Sequence, residues 1–330
     1  MIALSFLAAR PASALTITPV RMETEGDPGQ VVQKEMTLIN ERTTAETYYV
    51  SYANFEAQGE TGNPAFVEPK DDIGTWIEAP KSVFLAPGTS VVVPIKITIP
   101  KDAEPGGHFG TIFWGTTPTT VAPGEVSIGA KTGMLVLLRV SGPISEKGGL
   151  LEFATKGKQT LYTSLPVDFY YRFENAGSDR IKPTGTVKIR NMIGMTAATL
   201  PGNPVDGNIL PKSVRRFETS WQGKDGDKLL TDTEDENFFD KVKREYRNFG
   251  FGYYKANLKL SYGTAEEVAR GSVSFWVFPW HLLIVALILF FVVSFILFEE
   301  VRAYNRWVIK KARMQFERMQ NKIKSPRKKV

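Results

Sequence analysis

The sequence predicts an all-β exterior, two tandem immunoglobulin-like β-sandwiches, followed by a single transmembrane helix and a short basic helical tail. Three observations carry this. Residues 277–298 hold no Asp, Glu, Lys or Arg, and about 20 such residues at ~1.5 Å rise span a ~30 Å hydrocarbon core. Upstream, apolar residues recur at every second position, the period of a strand, with turn residues between the runs. Downstream, residues 301–330 carry eleven basic side chains and one acidic.

The flanks of the apolar stretch support a membrane span. Trp276 and Trp280 lie at one end, Tyr304 and Trp307 just past the other, and such rings favour the headgroup zone. Within it, His281 and Ser294 are the clearly polar side chains. A neutral His near a helix end reaches the interface cheaply. The basic side chains after Phe298, among them Lys310, Lys311, Arg313 and Arg318, place the C-terminal side in the cytoplasm. Residues 1–276 then lie outside. The chain carries +6 in all and residues 301–330 carry +10, so the remainder carries −4. The basic balance belongs to the tail and implies no nucleic-acid partner.

At the other end, residues 1–14 form an apolar run broken by Pro11 and closed by Ala12-Ser13-Ala14, a signal-peptidase pattern with cleavage before Leu15. The basic segment that normally opens a signal peptide is missing, which points to a start upstream of Met1. An exported N-terminus and one stop-transfer helix give a single-pass type I protein of the plasma membrane.

The first sandwich is expected over 15–143. Val91, Val93, Ile95, Ile97 and Ile99 alternate with Val92, Pro94, Lys96, Thr98 and Pro100. Further β-rich runs cover 32–38, 48–55, 108–114 and 133–140, separated by turn signals such as Ala86-Pro87-Gly88 and Pro105-Gly106-Gly107. Pro94 predicts an edge position or a bulge. The second sandwich is expected over 144–276. Val167, Phe169, Tyr171 and Phe173 alternate with polar residues, as do Tyr254, Ala256, Leu258, Leu260 and Tyr262. A last strand, 271–277, runs straight into the span, so this sandwich should sit close to the bilayer. An acidic insertion over 222–248 interrupts the β pattern. Its carboxylates lack the ligand spacing of a calcium loop, and its second half suits a helical turn or two.

Catalytic and metal motifs are absent from the sequence. With no cysteine, disulfides, thiolate metal sites and Cys nucleophiles are excluded. His108 is the one imidazole outside the span, and zinc needs three or four ligands. Nothing marks a nucleophile beside it. No phosphate loop, GxSxG or HExxH occurs; a carboxylate pair brought together by folding stays open. The expectation is a non-enzyme without cofactor, metal or catalytic residue. Aromatics in strand-like runs, Trp76, Trp114, Trp221, Phe251, Tyr253 and Tyr254, suit a core. Should a sugar site exist, Trp76 and Trp114 are its candidates.

A family resemblance now has its residues. Ile17-Thr18-Pro19, the strand ending at Asn40, Leu85-Ala86-Pro87-Gly88 and Gly106-Gly107-His108-Phe109-Gly110-Thr111-Ile112 resemble the first, peptidoglycan-binding domain of bacterial WxL-interacting proteins. Phe173-Glu174-Asn175-Ala176-Gly177, Lys182-Pro183-Thr184-Gly185 and Leu210-Pro211 are similar to their second, immunoglobulin-like domain. The order of parts agrees over nearly the whole chain; the acidic insertion departs from it. The resemblance implies a membrane-held envelope protein that binds cell-wall polymer or surface proteins, with no catalytic residue to transfer.

The tail carries Ile309, Ala312, Phe316, Met319 and Ile323 at helical 3-4 spacing among basic residues. It suits a helix on the anionic inner leaflet, at about 1 kcal/mol per basic residue near the surface, or a short coiled coil. Two heptads are few for a coil, which favours the lipid surface; the plainest role is a stop-transfer anchor. The leading function is thus a binding scaffold of the cell envelope. The alternative is a subunit of a signalling or assembly complex that recruits partners through this tail.

Overall fold

A computed structural model of the chain describes residues 14–118, 130–223 and 237–324, with side chains through residue 320. Residues 1–13, within the expected signal peptide 1–14, residues 119–129, the acidic residues 224–236 and the last six positions lie outside the described residues.

The first part of the chain folds as β1 (Leu15–Thr18), β2 (Arg21–Gly26), β3 (Val31–Asn40), β4 (Glu46–Gln58), β5 (Asn63–Val67), α1 (Ile73–Trp76), β6 (Ile77–Glu78), β7 (Ser82–Leu85), β8 (Ser90–Thr98), β9 (Gly106–Gly115) and β10 (Lys131–Val140). One sheet has the order β1-β3-β8-β6; the other is β2-β10-β9-β4-β5, with β7 joined to β4. At Pro19 the chain crosses from one sheet to the other: β1 pairs antiparallel with β3, β2 parallel with β10. The alternation of β8 is realised, since Val93, Ile95 and Ile97 are buried and Val92 is exposed. Pro94 lies where β8 has β3 on one side only, because β6 pairs just with Lys96 and Ile97. A missing ladder donor is harmless there.

The second part has β11 (Gly148–Thr155), β12 (Leu161–Tyr162), β13 (Val167–Asn175), β14 (Thr184–Asn191), β15 (Thr196–Pro201), β16 (Ser213–Trp221), α2 (Phe238–Arg247), β17 (Gly252–Tyr262) and β18 (Glu267–Val277). Its sheets are β11-β13-β16 and β12-β18-β17-β14-β15. The two parts have separate cores, one ending at Val140 and the other starting at Leu165.

The two parts share a device at a strand end. Asn40 closes β3 and donates to the carbonyls of Thr44 and Leu85, while its oxygen accepts from Arg42 N–H and Tyr48 O–H. Asn175 closes β13 and donates to the carbonyls of Asp179 and Ile209, while its oxygen accepts from Gly177 N–H. Both side chains are fully buried. Each serves backbone groups at the turns beside its strand end.

The strand-to-helix junction corrects the expected span. Val277 is a buried strand residue paired with Gly252, and the helix α3 (Trp280–Lys324) begins three positions later. It is long and apolar enough to cross a membrane, and almost none of its apolar window packs against the rest of the chain. His281 does not reach for an interface. It is buried, with Nδ1 2.5 Å from Glu245 Oε1 on α2. The other Glu245 oxygen accepts the Leu282 N–H at 2.8 Å, one of the donors a helix start leaves unpaired. The insertion's second half is therefore a ten-residue helix, N-capped by Asn237, that holds the start of α3.

α3 continues unbroken for 45 residues, about 68 Å at 1.5 Å per residue. Residues 299–324 thus continue the same helix as the apolar stretch with no break in secondary structure. Ile309, Phe316 and Met319 are exposed along the same rod.

Replacing Asn175 by Ala strands the buried Gly177 N–H and Asp179 carbonyl, while the Ile209 carbonyl keeps the Ile181 N–H, and should cost about 1–3 kcal/mol. Urea unfolding of the full chain in detergent checks this. A loss under about 0.5 kcal/mol, the level of an ordinary surface change, would contradict it.

Candidate functional site

The site begins with a sheet that has two apolar faces. In the six-stranded sheet, Ile112, Trp114, Met134, Val136 and Leu138 fill the core. The alternate residues of an antiparallel sheet normally meet water and are polar. Here they are Phe55 and Ala53 on β4, Phe109 and Phe113 on β9, and Leu135 and Leu137 on β10. Cross-strand pairing aligns Leu135, Thr111 and Ala53, and Leu137 with Phe109. Phe66 on β5 meets Phe55 at 6.4 Å and Phe113 at 4.9 Å between ring centroids. The continuous run Met134-Leu135-Val136-Leu137-Leu138 was the sequence signal of this double face.

The second sandwich covers part of that face. Gly106 and Gly107 let it approach. A Cβ on Gly106 would sit 2.3 Å from the Ser178 carbonyl oxygen, and Gly107 N–H donates to the same carbonyl at 2.9 Å. The tip of the β4–β5 hairpin reaches across: Glu60 accepts from Arg172 Nε at 2.8 Å, and its carbonyl accepts from Arg216 N–H at 2.8 Å. Arg172 holds the Glu60 carboxyl below the usual carboxylate range. Arg21 pairs with Asp206 at 3.3 Å, Arg180 with Glu23 at 3.4 Å and Arg139 with Asp179 at 3.0 Å.

What stays uncovered is a cleft. A cavity of about 200 Å³ lies between Phe55, Pro64, Leu137, Val205, Leu210 and Arg215. An open groove of about 740 Å³ shares Phe55, Ala57, Leu210 and Ser213 with it and runs past Phe109 to His108. Arg215 is the chemical feature of the cavity. Its guanidinium is slotted between Gly62 of the first sandwich and Gly207 of the second; a Cβ on either would sit 2.2 Å or 2.6 Å from its Cζ. Nη1 donates to the Asn208 carbonyl at 2.7 Å, while the buried Nε has no partner. Burial pulls its pKa below the ordinary arginine value. Among the described residues it makes no ion pair, and its Cζ lies 5.1 Å from the Phe217 ring centroid, so an anion entering the cavity would meet a partly desolvated cation with no carboxylate beside it.

The aromatic candidates fall elsewhere. Trp114 is 0% exposed in the first core, so neither ring face is free for a sugar. Trp76 ends α1, is half-buried against that core, and lies 4.7 Å from the His108 ring. Trp221 and Tyr254 pack in the second core, whereas Phe251 is exposed. Trp276 and Trp280 are exposed at the helix entrance, and Tyr304 and Trp307 are exposed 24 and 27 positions beyond Trp280. Lys311 Nζ lies 4.7 Å from the Trp307 ring centroid.

His108 has a partner that spacing alone does not reveal. Its Nδ1 is 2.5 Å from Asp72 Oδ1, 36 positions away, and its Nε2 is 2.8 Å from the Glu104 carbonyl oxygen. Both ring nitrogens face acceptors, which suits the imidazolium and leaves no lone pair for a base. Among the described residues no group of three His, Asp or Glu side chains converges as a metal site would require.

No family model matches the chain, and no curated protein does. Solved structures with some likeness include the class 5 fimbriae chaperone CfaA, at 12% identity and a TM-score of 0.37, over 79% of this chain and 99% of that one. The Escherichia coli chaperone DraB follows at 11% identity and 0.34, over 79% and 97%. The Pseudomonas aeruginosa CupB2 chaperone has 8% identity and 0.32, over 79% and 100%.

Burial pushes the His108 pKa down, but the Asp72 bond, the Glu104 carbonyl and the neighbouring acids outweigh it, and the net shift is upward. A raised folded value means the pair's stabilisation is complete below the unfolded value of about 6.5 and is lost as pH rises through the folded value. His108→Gln should therefore cost more stability near pH 5.5 than near pH 8.5. Denaturation at both pH values checks this; an equal or reversed cost would contradict it.

Proposed function

We propose that this chain is a non-enzymatic binding and scaffold protein of the cell envelope, held in the plasma membrane by α3 with its sandwiches outside. It takes a cell-wall polymer or a surface protein into the cleft between the sandwiches. The observation that carries this reading is the second apolar face of the six-stranded sheet, left partly open beside the unpaired Arg215. An apolar wall with one partly desolvated cation suits an extended segment that offers aliphatic groups and a carboxylate. Wall peptides and protein chains both have that chemistry. The basic residues after the span support the outside-in orientation, and the WxL-interacting resemblance supports the wall as partner.

The unbroken α3 favours a second role for the tail. A rigid rod presenting Ile309, Phe316 and Met319 clear of the bilayer suits a helical partner in the cytoplasm more than the lipid surface.

The test uses the full chain in nanodiscs, sedimented with purified cell-wall sacculi. Saturable binding is expected, weakened about tenfold by Arg215→Ala, the equivalent of ~1.4 kcal/mol, and unaffected by Lys188→Ala on the far sheet. Binding that ignores Arg215→Ala would remove the cleft from the reading. No binding to sacculi would remove the wall as ligand.

A further inference from the structure

The membrane-facing end of the second sandwich is apolar in places that α3 does not require. The β14–β15 hairpin turns through Met192, Ile193, Gly194 and Met195, and the three side chains are 63%, 70% and 59% exposed. Phe249 and Phe251 are exposed in the loop before β17, Phe239 and Tyr246 on α2, and Phe278 between β18 and α3. Scattered exposed apolar residues are ordinary; a cluster at one end of a domain marks a contact surface.

Strand register places these groups at one level. Asn191 pairs with Tyr254, and Tyr254 with Phe275. β14 and β18 are both antiparallel to β17, so they run in the same direction. Two residues past Asn191 bring Ile193 level with Val277, three positions before α3 begins. The Met192 methyl is 4.0 Å from where a Cβ on Gly252 would sit, and Gly252 pairs with Val277. Two strand spacings separate the hairpin from β18, about 10 Å. The tip thus stands beside the helix entrance at the depth of Trp276 and Trp280.

We propose that this end of the sandwich is a second membrane contact, a foot whose β14–β15 hairpin and Phe249–Phe251 loop enter the headgroup and upper acyl zone of the outer leaflet. The occupant is lipid because the surface is continuous with the point where α3 enters. Its composition agrees: Met, Phe, Tyr and Trp with no charge between Asn191 and Met195, and the exposed Lys243 and Arg247 on α2 beside Tyr246 for phosphate groups. The foot and the Glu245–His281 pair act on the same joint from two sides, one through lipid and one through α2. The proposal rests on α3 being a membrane span.

The absence of cysteine allows single labels. Ile193→Cys, Leu287→Cys in the span and Ala265→Cys at the opposite end of β17–β18 are each tagged with a polarity-sensitive fluorophore. Each full chain is reconstituted in vesicles of zwitterionic and anionic lipid carrying a spin label either near the headgroup or deep in the acyl chain. Position 193 should lose most of its emission to the shallow quencher, position 287 to the deep one, and position 265 to neither. Position 193 behaving like 265 while 287 is quenched would overturn the foot and leave the span standing. An unquenched 287 would remove the span, and the foot with it.

Discussion

The β-sheet part of the chain takes its position relative to α3 from a two-residue junction. Val277 is still in the ladder of the second sandwich, and Trp280 is already the first residue of α3. Phe278 and Pro279 leave almost no slack, and the buried Glu245 removes more by bonding both His281 and the Leu282 N–H. Truncating either partner of such a buried pair leaves a polar group unmatched in a place water does not reach. The junction is therefore costly to open, and the sandwich above it is held in one pose relative to the helix.

A fixed pose carries upward through the joint between the sandwiches. That joint combines a backbone bond from Gly107, the Glu60 clasp and Arg215 slotted between two glycines. The apolar outer face of the first sandwich accounts for the second sandwich being there, since such a face needs a cover. The cover is incomplete, and in the gap an apolar wall meets Arg215, which makes no ion pair among the described residues.

Much of the fold was legible because it depends on local pattern. Period-two alternation gave the strands of both cores, Pro94 gave a half-paired strand, and the charge-free run gave the long helix within three residues of its start. What stayed hidden depends on pairs far apart in the chain. His108 and Asp72 meet across 36 positions, and Arg215 meets Gly62 only because two sandwiches dock. Asn40 stands in the sequence as a strand end and Asn175 as part of a family-like motif, yet each is a buried hub for loop backbone. Trp114 shows the converse limit: a strand aromatic looks the same in sequence whether it faces a core or a ligand. The hairpin Met192-Ile193-Gly194-Met195 carries no alternation at all, and its place beside the helix entrance comes from register alone.

A distance measurement across the membrane tests the fixed pose most directly. Spin labels at Lys188→Cys on the exposed face of β14 and at Val301→Cys past the span, in the full chain in lipid nanodiscs, report the relation of the second sandwich to α3. One narrow distance peak, broadened when Glu245→Ala opens the junction, is the expected result. A broad or two-peaked distribution in the unaltered junction would contradict a sandwich held rigidly on its helix.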